Sequence, residues 1–426
     1  MYSYFRFLAI FIITFGHGVR TEEDNYSVYE GYKLIEVTPQ NTLQSSILGY
    51  FQKQQHKIPS VNFLSSTKLP NVPNLLLVPP ESEIELQTVL RSSKIPFKIV
   101  NNDLVTSIRA ERSENSRRRS PTGIDFESYR RFDEISGYLE DLSKKYPQQA
   151  KLIPVGKSFE GRQMNALRIT DSSEGRSDKK VIFIDAGIHA REWIAPATAL
   201  FVIHQLVENF DSNRDLLKDY DWVILPVVNP DGYEYSHTKE RFWRKTRKPN
   251  SFACVGTDAN RNFDFHWGET GASNYACAET YRGPKAFSEP ETEALKKVLE
   301  SFEGNCKMYL SLHSYGNYLL YPWGYESTLP PTWQDLDEIS MAGANAIKNA
   351  TGTEYTVGSS TNVLYAAAGA SDDYAFGPLK IPVSITMELS GAGSGGFDPP
   401  ASKIKPFVEE AWIGIKAMAE AVSKKY

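Results

Sequence analysis

The chain has 426 residues, 41% hydrophobic and 12% aromatic, enough for packed cores in two or three folding units and too apolar for a disordered polypeptide. A formal charge of −5 gives no case for a nucleic-acid partner, and three cysteines cannot form the main framework of a fold this large.

At the N-terminus Arg6 precedes a short apolar run, Phe7 to Phe15, with small residues at Gly16 and Gly18, so residues 1–18 read as a secretory signal peptide. The run is too short to span a bilayer, and no later stretch reaches the length of a membrane helix. The expectation is a secreted, extracellular protein with no membrane partner. Asn25 and Asn349 lie in N-x-S/T sequons, candidates for glycosylation in that compartment.

Residues 19–102 are expected to form a small α+β domain. Its pattern predicts a strand at Tyr32–Val37, a helix near Leu43–Phe51, strands at Val61–Leu64 and Leu75–Val78, a helix at Glu81–Leu90 and a strand at Phe97–Val100. A β-α-β-β-α-β string is satisfied by two helices on one face of an antiparallel sheet, the ferredoxin-like solution. Residues 103–119 then turn basic, with Arg109, Arg112, Arg117, Arg118 and Arg119, and read as a solvated connecting segment. An exposed cluster at Arg117–Arg119 is where a trypsin-like protease would cut.

From residue 120 to 426 strands alternate with helices: a helix from Phe126 to Tyr146, a strand at Val181–Asp185, a helix at Ala195–Glu208, a strand at Trp222–Val228 and a closing helix at Pro406–Val422. Such alternation predicts an α/β domain with a mixed, largely parallel twisted sheet flanked by helices, its functional residues at the carboxyl ends of strands. At most one internal disulfide can form. Cys254 and Cys277 would close a loop of about two dozen residues, rated at about 3 kcal/mol by the chain-entropy model, and Cys306 reads as a buried free thiol.

The strand at Val181–Asp185 runs into a loop carrying His189 and Glu192, which three residues apart can turn to one side and share a metal. Alone, H-x-x-E arises readily by chance. A second strand-like run, Met308 to Leu312, delivers His313 from another strand end, and two His with one carboxylate and an open fourth position is the zinc set of hydrolases. The other histidines, His56, His204, His237 and His266, read as structural or surface residues.

Six motifs then occur in order: His189-Ala190-Arg191-Glu192, Asn229-Pro230-Asp231-Gly232, Trp243-Arg244-Lys245-Thr246-Arg247, Asp258-Ala259-Asn260-Arg261-Asn262, Leu312-His313-Ser314-Tyr315 and Thr386-Met387-Glu388-Leu389. From Ser120 onward the chain resembles the pancreatic-type zinc metallocarboxypeptidases A and B, and the preceding domain resembles their activation segment. The resemblance implies a zymogen that hydrolyses the last peptide bond of peptide or protein C-termini, with one zinc ion held by His189, Glu192 and His313; one compact domain needs no partner for such a site, so a monomer is expected. It further implies Asp258 as the outer partner of His189, Glu388 as general base towards a metal-activated water, and Arg244 as stabiliser of the oxyanion. Arg261 with Asn260 would bind the terminal carboxylate, Tyr365 would close over the substrate, and Arg191, Ser314 and Tyr315 would line the outer cleft.

In this family the residue after the serine of Ser371-Asp372-Asp373-Tyr374 lies in the pocket for the C-terminal side chain, apolar in A-type enzymes and aspartate in B-type ones. Asp372 therefore implies a preference for Lys or Arg, closest to the B-type precursors. Two departures from the family pattern stand near it. Ala370 replaces a usual glycine and would narrow the pocket or favour Lys over Arg, and Ser390-Gly391-Ala392-Gly393 replaces an Arg-Asp pair with a more flexible loop. The rival readings are A-type or mixed specificity, and a non-catalytic protein that binds C-terminal tails. The second would be marked by loss of a ligand, Glu388 or Arg244, and none is lost.

Overall fold

The structure, a computed structural model, describes residues 25–53, 61–67, 70–120, 123–173, 178–251, 254–393 and 395–426. The signal-peptide reading of residues 1–18 and the reading of His56 fall outside the described residues.

The first unit runs β1 (Lys33–Val37), α1 (Thr42–Lys53), β2 (Asn62–Ser65), β3 (Asn74–Val78), α2 (Pro80–Ser92) and β4 (Phe97–Asn101). The sheet order is β2-β3-β1-β4 with every pairing antiparallel, the expected ferredoxin-like arrangement. Strand alternation explains why β3 is apolar from Leu75 to Val78. Leu76 and Val78 face Leu48 of α1 and Leu86 and Leu90 of α2, whereas Leu75 and Leu77 point the other way, against Phe242 and Phe397 of the following domain. Pro80 opens α2, where its missing N–H costs nothing.

The connecting segment is not a solvated tether. It forms α3 (Leu104–Arg118), capped by the Asp103 carboxylate, which accepts the Thr106 N–H at 3.0 Å. Leu104 and Ile108, one turn apart, are buried in the interface between the two units. Glu111, a turn further on, makes a bidentate pair with buried Arg241 at 2.8 and 3.0 Å. Two apolar residues and one acid in register with a helical face are enough to dock a stretch whose composition reads as linker.

The larger unit contains α4 (Phe132–Lys145), β5 (Ala150–Lys157), β6 (Gln163–Ile169), β7 (Lys180–Ala186), α5 (Ile194–Val207), α6 (Phe210–Asn213), β8 (Tyr220–Leu225), α7 (Pro230–Thr238) and α8 (Pro290–Glu300). It continues through β9 (Cys306–Ser314), β10 (Tyr318–Tyr321), α9 (Trp333–Thr351), β11 (Thr356–Ser359), α10 (Ser360–Val363), α11 (Ser371–Phe376), β12 (Val383–Leu389) and α12 (Ala401–Lys425). Among the described residues its sheet has eight strands in the order β11-β10-β12-β9-β7-β8-β6-β5. The centre, β12-β9-β7-β8, is parallel, and antiparallel pairings appear only outside it, so the sheet is mixed. Helices cover both faces: Ile182 and Ile184 of β7 pack with α5 and α12, while Val181 and Phe183 pack with Leu295 and Leu299 of α8.

Element bounds shift where local backbone overrides pattern. The helix expected from Phe126 begins at Phe132, because Phe126 adopts φ 56° and packs edge-on against Phe201 at 5.0 Å. The strand expected to reach Val228 stops at Leu225, before Pro226, which has no N–H for a ladder. The closing helix starts at Ala401 and tolerates Pro406 near its first turns. Cys254 and Cys277 are disulfide-bonded with Cα atoms 4.9 Å apart, and Cys306 is a buried thiol pushed up to about 12 by burial.

Candidate active site

Three parallel strands end at one place. β7 releases the loop with His189 and Glu192, β9 ends at His313-Ser314, and β12 ends at Glu388-Leu389, with Glu388 opposite His313 in register. Asn229 fastens this rim: its amide donates to Ile188 O at 3.3 Å and Lys245 O at 3.0 Å, and its carbonyl caps α7 through Gly232 N–H. Gly232 is required there, since a Cβ would lie 2.6 Å from Lys245 O.

His189, Glu192 and His313 are all buried, and each offers a ligand atom within 4.8 Å of the others. His189 Nδ1 lies 2.8 Å from Glu192 Oε1, and His313 Nδ1 lies 3.1 Å from both Glu192 Oε2 and His189 Nδ1. A tetrahedral zinc site with bonds of about 2.0–2.1 Å has ligand–ligand edges near 3.3 Å, so the donor types and spacing fit zinc. The electrostatics agree. Burial and the nearby Arg244 lower His189, keeping it neutral as a ligand must be. Burial would also lower His313, but Glu192, Glu388 and Asp185 outweigh it and lift the ring to about 9, the response of a site that attracts a cation.

Asp258 is the hub beside the triad. One oxygen lies 3.1 Å from His189 Nε2, and the other accepts Nη2 and Nε of Arg244 at 3.0 and 3.2 Å. Burial favours its neutral acid, yet Arg244, Arg261 and His189 hold it well below the usual range. Among the described residues Glu388 has no such hydrogen-bonded cation: burial lifts it to about 7, with His313 opposing, Glu192 adding and Arg244 opposing.

His189, Glu192, His313, Arg244 and Glu388 open into a cavity of about 170 Å³ also lined by Asn260, Arg261, Ser314, Tyr315, Tyr365, Ala370, Asp372 and Thr386. The Asn260 carbonyl accepts Ser371 N–H at 2.9 Å, and Arg261 is steadied by Gly271 O and Asn260 O at 3.1 and 2.7 Å. Asp372 is buried, accepting Asp373 N–H at 3.0 Å and the Thr386 hydroxyl at 3.2 Å. Burial raises its pKa from the ordinary value. Asp373 turns away and accepts the Gly324 and Tyr325 amides at 2.9–3.1 Å, which separates the two neighbouring aspartates by role.

Arg191 is the sequence candidate that does not line the cavity: it is buried under Phe397, 4.5 Å from the ring centroid, and bonds Phe242 O and Glu279 at 3.3 Å. The loop at Ser390-Gly391-Ala392-Gly393 has a packing reason for its glycines. Tyr315 lies across it, and a Cβ at Gly391 would come 2.6 Å from the tyrosine. Ser390 in turn donates to buried Glu410 at 2.7 Å.

The resemblance to zymogens implies that the first unit covers the cleft, and the residues that do so carry no motif of their own. Leu64, Ser65, Ser66, Thr67, Val72 and Pro73 of the first unit line the cavity opposite the metal triad. His204, His237 and His266 lie away from the site: His237 stacks on Trp193 at 3.7 Å and His266 on Tyr325 at 3.6 Å, and His204 pairs with Glu208 at 2.9 Å.

Comparison with known proteins places the chain in a family. Residues 135–414 match the zinc carboxypeptidase family model and residues 35–111 the carboxypeptidase activation peptide model. A carboxypeptidase B of Astacus astacus is 43% identical over 305 residues, spanning 71% of this chain and 100% of its own. A zinc carboxypeptidase A 1 of Drosophila melanogaster is 37% identical over 401 residues, 92% of each chain. The crystal structure of the carboxypeptidase A from Helicoverpa armigera superimposes with a TM-score of 0.87 at 30% identity, over 93% of this chain and 99% of its own. The chain belongs to the zinc carboxypeptidases, in the form that carries an activation peptide ahead of the catalytic domain.

Proposed function

We propose that this zinc carboxypeptidase zymogen is secreted and, once cut by a trypsin-like protease, removes C-terminal Lys or Arg from peptides and proteins. The observation that carries the specificity is Asp372, a buried carboxylate that lines the same cavity as the metal triad and makes no ion pair among the described residues. A carboxylate so desolvated is costly until a cation meets it, so the pocket rewards an ammonium or guanidinium and penalises an apolar side chain. The disulfide supports an oxidising compartment, and no helix among the described residues is long and apolar enough to cross a membrane.

The proposed roles follow from the same geometry. Arg261 offers a permanently charged fork for the substrate's terminal carboxylate, with the Asn260 amide beside it and Tyr365 at the cavity wall. When bound, zinc supplies Lewis acidity that activates water and polarises the scissile carbonyl. Glu388 takes the proton of the attacking water and returns it to the leaving amine. Arg244, fixed by Asp258, presents its guanidinium to the developing oxyanion. Ser314 and Tyr315 line the outer part, and the first unit keeps substrate from the site until it is removed.

The specificity is tested by kcat/KM of the trypsin-activated protein on blocked dipeptides ending in Arg, Lys, Phe and Leu. Preference for the basic pair is expected. Preference for Phe or Leu would make the enzyme A-type, and the absence of any turnover with zinc bound would leave a tail-binding protein.

A further inference from the structure

The six motifs hold the two histidine ligands unequally. Asp258 fixes His189, but nothing in the six motifs orients His313. The structure supplies a partner from inside the sheet. His313 Nε2, the nitrogen facing away from Glu192, lies 3.1 Å from Ser311 Oγ, and Ser311 Oγ lies 2.9 Å from Asp185 Oδ1. The other oxygen of Asp185 accepts the Tyr309 hydroxyl. Asp185 and Ser311 are cross-strand partners in the parallel β7–β9 pair, and both are fully buried.

The chemistry sets a direction along this chain. A carboxylate only accepts, so the Ser311 O–H points to Asp185. The serine lone pairs then face His313, whose Nε2 must donate, leaving the Nδ1 lone pair towards Glu192 and His189. A purely structural need at this sheet position would be met by a neutral residue, because burying a carboxylate among hydroxyls is costly. We propose that Asp185 and Ser311 are positioning residues for zinc, acting in series to fix the tautomer and orientation of His313, the counterpart of what Asp258 does for His189. The inference rests on the assignment of His189, Glu192 and His313 as the zinc ligands.

The test uses the full-length zymogen and the variants S311A, D185N, S311A/D185N and Y309F. Zinc dissociation constants are read by competition with a chromophoric chelator, the visible spectrum is recorded after cobalt substitution, and melting of the metal-free proteins controls for folding. Loss of an outer partner of a ligating histidine weakens zinc by roughly 10- to 100-fold, so S311A and D185N are expected in that range with altered cobalt spectra. Because the two act in series, the double variant should lose no more than about threefold beyond S311A. Y309F removes the donor to the far oxygen of the same carboxylate and a hydroxyl near Ser311, yet keeps the Nε2–Oγ and Oγ–Oδ1 links, so it should shift zinc affinity by less than about threefold even where it lowers the melting temperature. Wild-type affinity in S311A, additive losses in the double variant, or an equal loss in Y309F would overturn the proposal. If S311A does not fold, the contrast between D185N and Y309F decides in the same way. A wild-type chain that binds no zinc would instead overturn the ligand assignment, and this inference with it.

Discussion

Replacing Asp372 by Asn removes a charge while keeping shape, since the amide can still accept the Asp373 N–H and sit against Thr386. Two unit charges about 4 Å apart at an effective dielectric near 20 attract by about 4 kcal/mol, and truncating one partner of a buried hydrogen-bonded charge pair costs 2–5 kcal/mol, so about 3 kcal/mol is expected here. That is roughly a hundredfold loss in kcat/KM for substrates ending in Arg or Lys. A substrate ending in Phe gains nothing from the charge and should change by less than about threefold. The assay is steady-state hydrolysis of matched blocked dipeptides by the activated enzyme. Asp373→Asn is the internal control: its carboxylate holds the Gly324 and Tyr325 amides, so it should lower stability and leave the Arg-to-Phe ratio in place. A ratio unchanged in D372N, or collapsed in D373N instead, would refute the pocket assignment.

Further outcomes follow from the buried acids. Glu388→Gln should lower kcat by roughly 10²- to 10⁴-fold with zinc retained, and wild-type kcat/KM should fall on the acid side as Glu388, lifted to about 7 in the metal-free chain, takes up a proton; bound zinc moves that limb to lower pH. Burial lifts Glu291 to about 7 from 4.5. Its folded-state pKa is raised, so its contribution to stability is present below about 4.5 and lost as pH rises through about 7; E291Q should exceed wild type by roughly 3 kcal/mol near pH 8 in urea unfolding and match it near pH 4. Glu111→Ala breaks the buried pair that docks α3, partly offset because Arg241 keeps Arg191 O at 2.9 Å, Phe397 O at 2.6 Å and the Trp193 face at 3.6 Å. Trypsin should then cut the connecting segment at least about tenfold faster, and an unchanged rate would show that α3 does not guard it.

The central strands were legible because parallel strands buried on both faces read as apolar runs, and the two histidines stood where those runs end. Asp372 was legible only through its place in a motif. The docking of α3 was not, because Leu104, Ile108 and Glu111 are sparse among arginines and gain meaning only against Phe242 and Arg241, more than a hundred residues away in sequence. Asp185 and Ser311 left a weaker trace: Ser311 precedes His313 by two and so shares its strand face, but its partner lies on another strand. The cover over the cavity had no local signature, since Ser65, Ser66 and Thr67 carry no chemistry of their own.

The measurement that tests the account most directly is mass spectrometry of a peptide ending in two Arg residues after exposure to the activated protein, beside its C-terminally amidated twin and a sample treated with a zinc chelator. Single-residue losses from the free C-terminus are predicted, absent from the amidated peptide, abolished by chelator and restored by added zinc. Internal cleavage, equal attack on the amidated peptide, or losses indifferent to the chelator would contradict it.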